Sequence, residues 1–241
     1  MHLDARNGTV ELGGRPVPFR LERRRGRRKV SILVDLHEGL LLRTPPRFPL
    51  RDVGPLLREE SDWSLRRLGE RDDWHRRHPP RRFESGAVLP LLGESWSLEL
   101  RRQPGRRRAK VRAGEWRIHA ELPRDGDARA ALESWYRRLA RRIVIERIRY
   151  WAPRIGRWPA KVSLRDTRSR WGSCSGEGNL SFNWKILLAP PAILDYLVVH
   201  ELCHLVHADH GEGFWSLVES HVPDYRRRRD WLKKRGETLY F

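Results

Sequence analysis

One segment restricts the fold more than any other. After Pro190-Pro191 the chain carries an apolar run, Ile193 to Val199, that closes on His200-Glu201-Leu202-Cys203-His204. Pro191 suits the first turn of a helix and Gly211 its end, so a helix from Pro191 to about Ala208 is expected. Two histidines four residues apart project from one helix face a single turn apart, where both imidazoles can meet one metal ion. Glu201 sits about 100° round the helix, where its carboxylate reaches a water on that ion without ligating it. Zinc lowers the pKa of such a water towards about 7, and a carboxylate so placed takes its proton during attack on a carbonyl.

A catalytic zinc needs a third protein ligand and an open fourth position. His207, His210, Glu212, Glu219 and His221 all follow within reach. His207 shares a face with His204 but lies two turns from His200, so on a straight helix it points past the ion. His210 can turn back if the helix breaks around Ala208 to Gly211, where Asp209 and Gly211 suit a break. Glu219, a carboxylate on the following helix, is the next choice.

Composition sets the class. The chain has 241 residues, a net charge of +19, and 11 Trp, 6 Phe and 5 Tyr. That aromatic content argues against disorder despite a charged fraction of 34%. No apolar leader opens the sequence, and the apolar stretch from Ile186 to Val199 is broken by prolines and Asp195, so no membrane partner is expected. Two cysteines, Cys174 and Cys203, form no disulfide framework and suit a reducing, cytoplasmic setting. Of 50 basic residues only six are Lys. This Arg excess reads as coding bias or as a surface for nucleic acid. Yet Ile186 to Tyr225 holds no Lys or Arg and six carboxylates, an acidic stretch inside a basic chain.

The expected fold class is α+β. Strands are expected from Val10 to Leu12, Val30 to Val34 and Leu40 to Leu42, then a helix from Leu50 to Trp74. After the Pro79-Pro80 linker, strands return at Val88 to Leu92, Trp96 to Leu100, Lys110 to Arg112 and Trp116 to Leu122. A helix from Asp127 to Tyr150 follows, with Leu132, Trp135, Leu139, Ile143 and Ile148 at helical spacing. Strands at Lys161 to Leu164 and Asn179 to Trp184 flank Arg165 to Ser175, and Ser175-Gly176-Glu177-Gly178 suggests a hairpin. A short helix over Phe214 to Ser220 and a basic helical tail complete the chain. Two domains are expected, a β-rich region with one helix over 1–125 and a catalytic domain over 126–241, with no internal repeat. Glu237 to Phe241 reads as a linker-like end outside the functional part.

The run Tyr196 to His204, Asp209-His210-Gly211 and Phe214-Trp215 resembles the YgjP-like metallopeptidases. Pro223-Asp224-Tyr225 and Arg229 to Lys233 fit that family's C-terminal continuation. Arg165-Asp166, Ser169 to Ser175 and Asn183-Trp184 match its strand-hairpin motif. The Arg-rich hairpin before Lys29 and the helix with Trp63 extend the likeness to nearly the whole chain. The resemblance implies a zincin-like catalytic domain related to SprT-like and Wss1-like proteases. It also implies Zn2+ on His200, His204 and His210, Glu201 as base, and a peptide or protein substrate. Asp209-His210-Gly211 departs from the family's usual Asn-His-Ser but keeps the histidine. A metzincin fits worse, because His207 stands where those enzymes have Gly and no Met follows Met1.

Trp171, Ser173 and Asn183 are candidate substrate contacts. The strand from Asn179 offers either a free edge for an extended peptide or an ordinary hairpin partner. Cys203 is expected in the core, Cys174 in a positioning turn, and Tyr225, Trp215 and Trp231 in helix packing. The rival to a peptidase is a basic nucleic-acid-binding protein whose metal site is structural, or one that acts on DNA-bound proteins.

Overall fold

A computed structural model describes residues 2–36, 38–79, 81–167 and 170–241, with the side chains of 2–6 left aside. The fold is α+β and divides into two compact units, Met1–Pro80 and Arg81–Phe241. The chain passes from the first unit to the second after the Pro79-Pro80 linker.

In the first unit, β1 (His2–Leu12), β2 (Arg15–Arg24), β3 (Ser31–Asp35) and β4 (Gly39–Thr44) form a sheet in the order β1-β2-β4-β3. β1 and β3 run antiparallel to their neighbours, while β2 and β4 are parallel. Val17 and Leu21 of β2 and Leu40 and Leu42 of β4 are buried with Val53 and Leu57 of α1 (Val53–Glu59) and Leu68 of α2 (Ser61–Arg77). The single helix expected over 50–74 is therefore two, parted at Glu60. Strand β2 has no range of its own among the strands expected from sequence: Val17, Phe19 and Leu21 keep period two, but Pro16 and Pro18 speak against a strand and Arg23 ends the alternation.

The second unit opens with β5 (Val88–Leu91), β6 (Glu94–Arg102), β7 (Lys110–Gly114) and β8 (Arg117–Leu122) in the order β5-β6-β8-β7. Again the middle pair is parallel and the outer pairs are antiparallel. The two sheets share one connectivity, so a structural repeat is present where none is expected. Leu89, Leu98 and Ile118 of this sheet are buried in the same core as the helices that follow.

Helix α3 (Ala128–Ile155) starts at Asp127, whose side chain accepts from the Ala130 N–H at 3.2 Å, and ends at Gly156 in the left-handed region. Leu132, Tyr136, Ala140, Val144, Ile148 and Ala152 are buried. Burial at every fourth position drifts by about 40° per step around the helix. The apolar stripe therefore winds, and one helix packs on β7 and β8 and also on α4 (Pro191–Cys203). Arg147 clamps α4 with two hydrogen bonds to the Asp195 carboxylate.

A second sheet in this unit has the order β10-β11-β9, from β9 (Lys161–Arg165), β10 (Gly172–Cys174) and β11 (Asn179–Asn183). The Ser175–Gly178 hairpin forms, with the Gly178 N–H on the Ser175 carbonyl at 2.9 Å. β11 pairs with β10 on one side and β9 on the other, so it has no free edge for a peptide; the edges are β9 and β10. Two more helices, α5 (Glu212–His221) and α6 (Tyr225–Arg235), complete the unit. The C-terminal residues are part of the core: Leu239 is buried and the Phe241 ring meets Phe83, Tyr136 and Trp184.

Candidate metal centre

Helix α4 ends at Cys203, five residues before the expected Ala208. The Leu205 N–H turns back to the Leu202 carbonyl, and Val206 and His207 turn back to Cys203. His204 Nδ1 meets the His207 carbonyl at 3.1 Å, which fixes that ring and leaves its Nε2 free. His207 thus contributes a backbone oxygen to the site. The early stop sends the chain back, and an Asp209 carboxylate oxygen accepting from the Gly211 N–H at 3.1 Å tightens the return.

His210 is brought round by this turn. One ring nitrogen from each of His200, His204 and His210 lies within 4.8 Å of the others. The Nε2 atoms of His200 and His210 face each other at 3.2 Å. Among the other third-ligand candidates, Glu219 faces Arg226 at 4.0 Å and His221 lies against Trp151. Neither they nor Glu212 join the cluster.

Electrostatics favour the neutral form of two of the three rings. Burial first, then the neighbouring imidazoles, push the His200 pKa down to about 3. His210 is lowered as well, by desolvation and by His204 and Arg229. Neutral imidazoles are the form that binds a cation. Three convergent imidazole nitrogens, with no acidic group among them, fit a divalent ion of borderline softness.

Glu201 is buried, 3% exposed, and its Oε2 has no hydrogen-bond partner among the described residues. Burial pushes its pKa up to about 8. β10 passes directly against it: a Cβ built on Gly172 would stand 2.6 Å from the Glu201 Cδ. Only glycine allows the strand so close. Cys174, also on β10, has its thiol pKa raised by burial and then by the Glu201 charge, so the thiol stays protonated. Cys203 is fully buried and its pKa is pushed up to about 12. Tyr225 is buried and stacked on Trp215, a packing residue, and its hydroxyl accepts from Arg226 Nε.

Trp171, Ser173 and Asn183 line one cleft of about 680 Å³ on the β10-β11-β9 sheet. Its floor includes a row of three serines, Ser173, Ser181 and Ser163, aligned across the strands. Side chains alternate along a strand, so Ser173 points away from the face on which Gly172 meets Glu201. The Asn183 amide is engaged, donating to the Thr167 carbonyl at 2.7 Å and accepting from the Lys185 N–H at 3.0 Å. Ser169, from the same motif, lies outside the described residues.

A family model for the YgjP-like metallopeptidase domain matches residues 28–235. The chain belongs to this family. The YgjP-like match runs through both compact units and includes His200, Glu201, His204 and His210. No curated protein matches the chain. The crystal structure of the metallopeptidase zymogen of Pyrococcus abyssi abylysin is similar at 21% identity, with a TM-score of 0.35, over 38% of this chain and 93% of that one. At that score the likeness says nothing about this chain's activity. No described helix of this YgjP-like chain is long and apolar enough to cross a membrane.

The aromatic surroundings are the part that sequence inspection misses. Phe214 is buried and stacked on His204 at 4.5 Å between ring centroids, with His200 and His210 meeting it edge-on. Trp215 is stacked on His210. The Phe214-Trp215 pair directly after a histidine-bearing turn is the available signal, but helix packing explains it equally well in sequence alone.

Proposed function

We propose that this chain is a zinc-dependent peptidase, with His200, His204 and His210 holding the ion and Glu201 as the general base. The observation that carries the reading is the pairing of three convergent imidazole nitrogens with a buried carboxylate, Glu201, whose Oε2 has no hydrogen-bond partner among the described residues. Zinc, when bound, would polarise a scissile carbonyl and acidify a water. Glu201 then supplies the proton acceptor. Its low-dielectric setting raises its basicity above that of an exposed carboxylate. The His207 carbonyl orients His204 and sets its tautomer, as a hydrogen bond to the far ring nitrogen does in metal sites generally. Gly172 keeps side chains off the carboxylate and shields it from bulk solvent. The substrate is a peptide or protein. Trp171 and Ser173, in the cleft on the β10-β11-β9 sheet, are candidate substrate contacts, whereas the Asn183 amide is already engaged. Two unlinked cysteines fit a reducing compartment, the cytoplasm.

The test is Glu201→Gln in the full chain, with zinc content and peptide hydrolysis measured together. The expected outcome is retained zinc and a loss of turnover of about a thousandfold or more. Undiminished hydrolysis in the variant would remove Glu201 as base.

A further inference from the structure

The three histidines are held by different means. His200 lies on α4, and its ring is wedged among Tyr196, Phe214 and Trp215. His204 is tied by its Nδ1 to the His207 carbonyl. His210 has neither a place on the helix nor a hydrogen bond to its second nitrogen. It sits on the exposed return of the chain between α4 and α5, and its Nδ1 has no protein partner among the described residues. A histidine ring on such a segment rotates freely about two side-chain bonds unless something holds its plane, and metal-binding histidines are ordinarily held by a hydrogen bond from the second nitrogen.

What holds His210 is an aromatic stack. The Trp215 indole lies against the imidazole at 5.5 Å with 28° between planes, and the Phe214 ring meets its side at 4.8 Å. Trp215 is itself backed by Tyr225, stacked at 5.1 Å and 15°. The Arg229 guanidinium covers it at 4.7 Å from the ring centre. Tyr225 and Arg229 belong to α6, so the plane of the imidazole is referred to a helix that carries no cluster residue.

We infer that Trp215 is the positioning residue for His210, and that an aromatic stack anchored on α6 takes the place of the missing hydrogen bond at this ligand. The inference rests on the zinc reading of the three histidines. It says that Trp215 acts on metal affinity chiefly through His210, the ring it stacks on at 28°, rather than through His200, which it meets at 5.9 Å with a 51° tilt. Trp215→Phe keeps a ring in the stack, while Trp215→Leu keeps apolar volume without a ring.

The experiment measures zinc affinity of the full chain by competition with a chromophoric chelator, and the visible absorption of the cobalt-loaded protein. Trp215→Leu should weaken zinc binding about tenfold or more, the range seen when an outer support of a metal ligand is removed. Trp215→Phe should stay within about threefold of wild type. In a His210→Ala background, Trp215→Leu should have no further effect on affinity, and the cobalt spectra of Trp215→Leu and His210→Ala should resemble each other. Equal losses from Trp215→Leu with and without His210 would overturn the inference, as would unchanged affinity in the Leu variant. A wild-type chain that binds no zinc, or a His210→Ala chain that binds it as tightly as wild type, sinks the zinc reading itself.

Discussion

The first sheet of each unit has the same connectivity, but the turn that opens it does different work. Between β1 and β2 the turn is Gly13-Gly14, both at positive φ, the cheapest residues for a two-residue hairpin of this hand. Between β5 and β6 it is Leu92-Gly93, also both at positive φ, so a leucine carries backbone strain that glycine would not. The strained turn is the one that docks. The Leu92 N–H donates to the Leu187 carbonyl at 2.8 Å and the Gly93 N–H to that of Leu188 at 3.2 Å. A Cβ on Gly93 would stand 2.8 Å from the Pro190 Cα, whereas one on Gly14 would meet nothing within 4 Å. The repeated sheet is thus adapted in its second copy to seat the residues that begin α4.

The same repeat places a carboxylate on each central strand. Glu22 on β2 is bound by Arg24 on its own strand and Arg43 on the parallel neighbour. Glu99 on β6 is bound in the same register by Arg101 and His119. Glu22 is 4% exposed and its partners are permanent cations; Glu99 is partly exposed and one partner is titratable.

The largest effect should come from Gly93→Ala. Left-handed strain and a clash with Pro190 together cost about 3 kcal/mol or more, read as a drop in the unfolding free energy of the second unit. Gly14→Ala, at the matching place in the first sheet, should cost only about 1 kcal/mol. Similar losses from the two would mean that docking adds nothing. Next comes Glu22→Gln, which leaves Arg24 and Arg43 facing an uncharged buried group, at about 2 kcal/mol. Its pH dependence has a definite sign. Burial alone would raise the Glu22 pKa, but hydrogen bonds and charge from Arg43 and Arg24 outweigh it and hold the group below its ordinary 4.5. Stability from this group is therefore complete above that ordinary value and is lost as the pH falls through the lowered folded value. Acid titration of the first unit should show this limb in wild type and a flatter one in Glu22→Gln. The smallest effect is Glu99→Gln, with no measurable change in chemical denaturation, since Glu99 keeps contact with water and its permanent cation, Arg101, is exposed and screened. A loss there matching that of Glu22→Gln would erase the distinction between the sheets.

Much of the site is legible in sequence because its geometry is local. Spacing of four on a helix brings His200 and His204 together in any helix at all. The end of α4 is not legible, because Leu205, Val206 and Ala208 continue a helical pattern and the stop is made by a side chain, His204, finding the His207 carbonyl. His210 follows from that stop. The repeat is hidden because Pro16 and Pro18 speak against a strand at β2, although Leu21-Glu22-Arg23-Arg24 and Leu98-Glu99-Leu100-Arg101 sit in matching strands. The unit boundary escapes for a tertiary reason, since the strands after residue 87 join the core of α3 and α4. The C-terminal Leu239 and Phe241 read as a loose end because two apolar residues make no pattern.

Gly172 and Glu201 are cast against each other: the volume absent from one residue is the volume taken by the other. Position 172 therefore has an alphabet of one letter for as long as position 201 carries a buried carboxylate. The strand cannot gain a side chain, nor the helix shift towards it, without the other giving way. Two stretches of chain about thirty residues apart in sequence thus share one small volume.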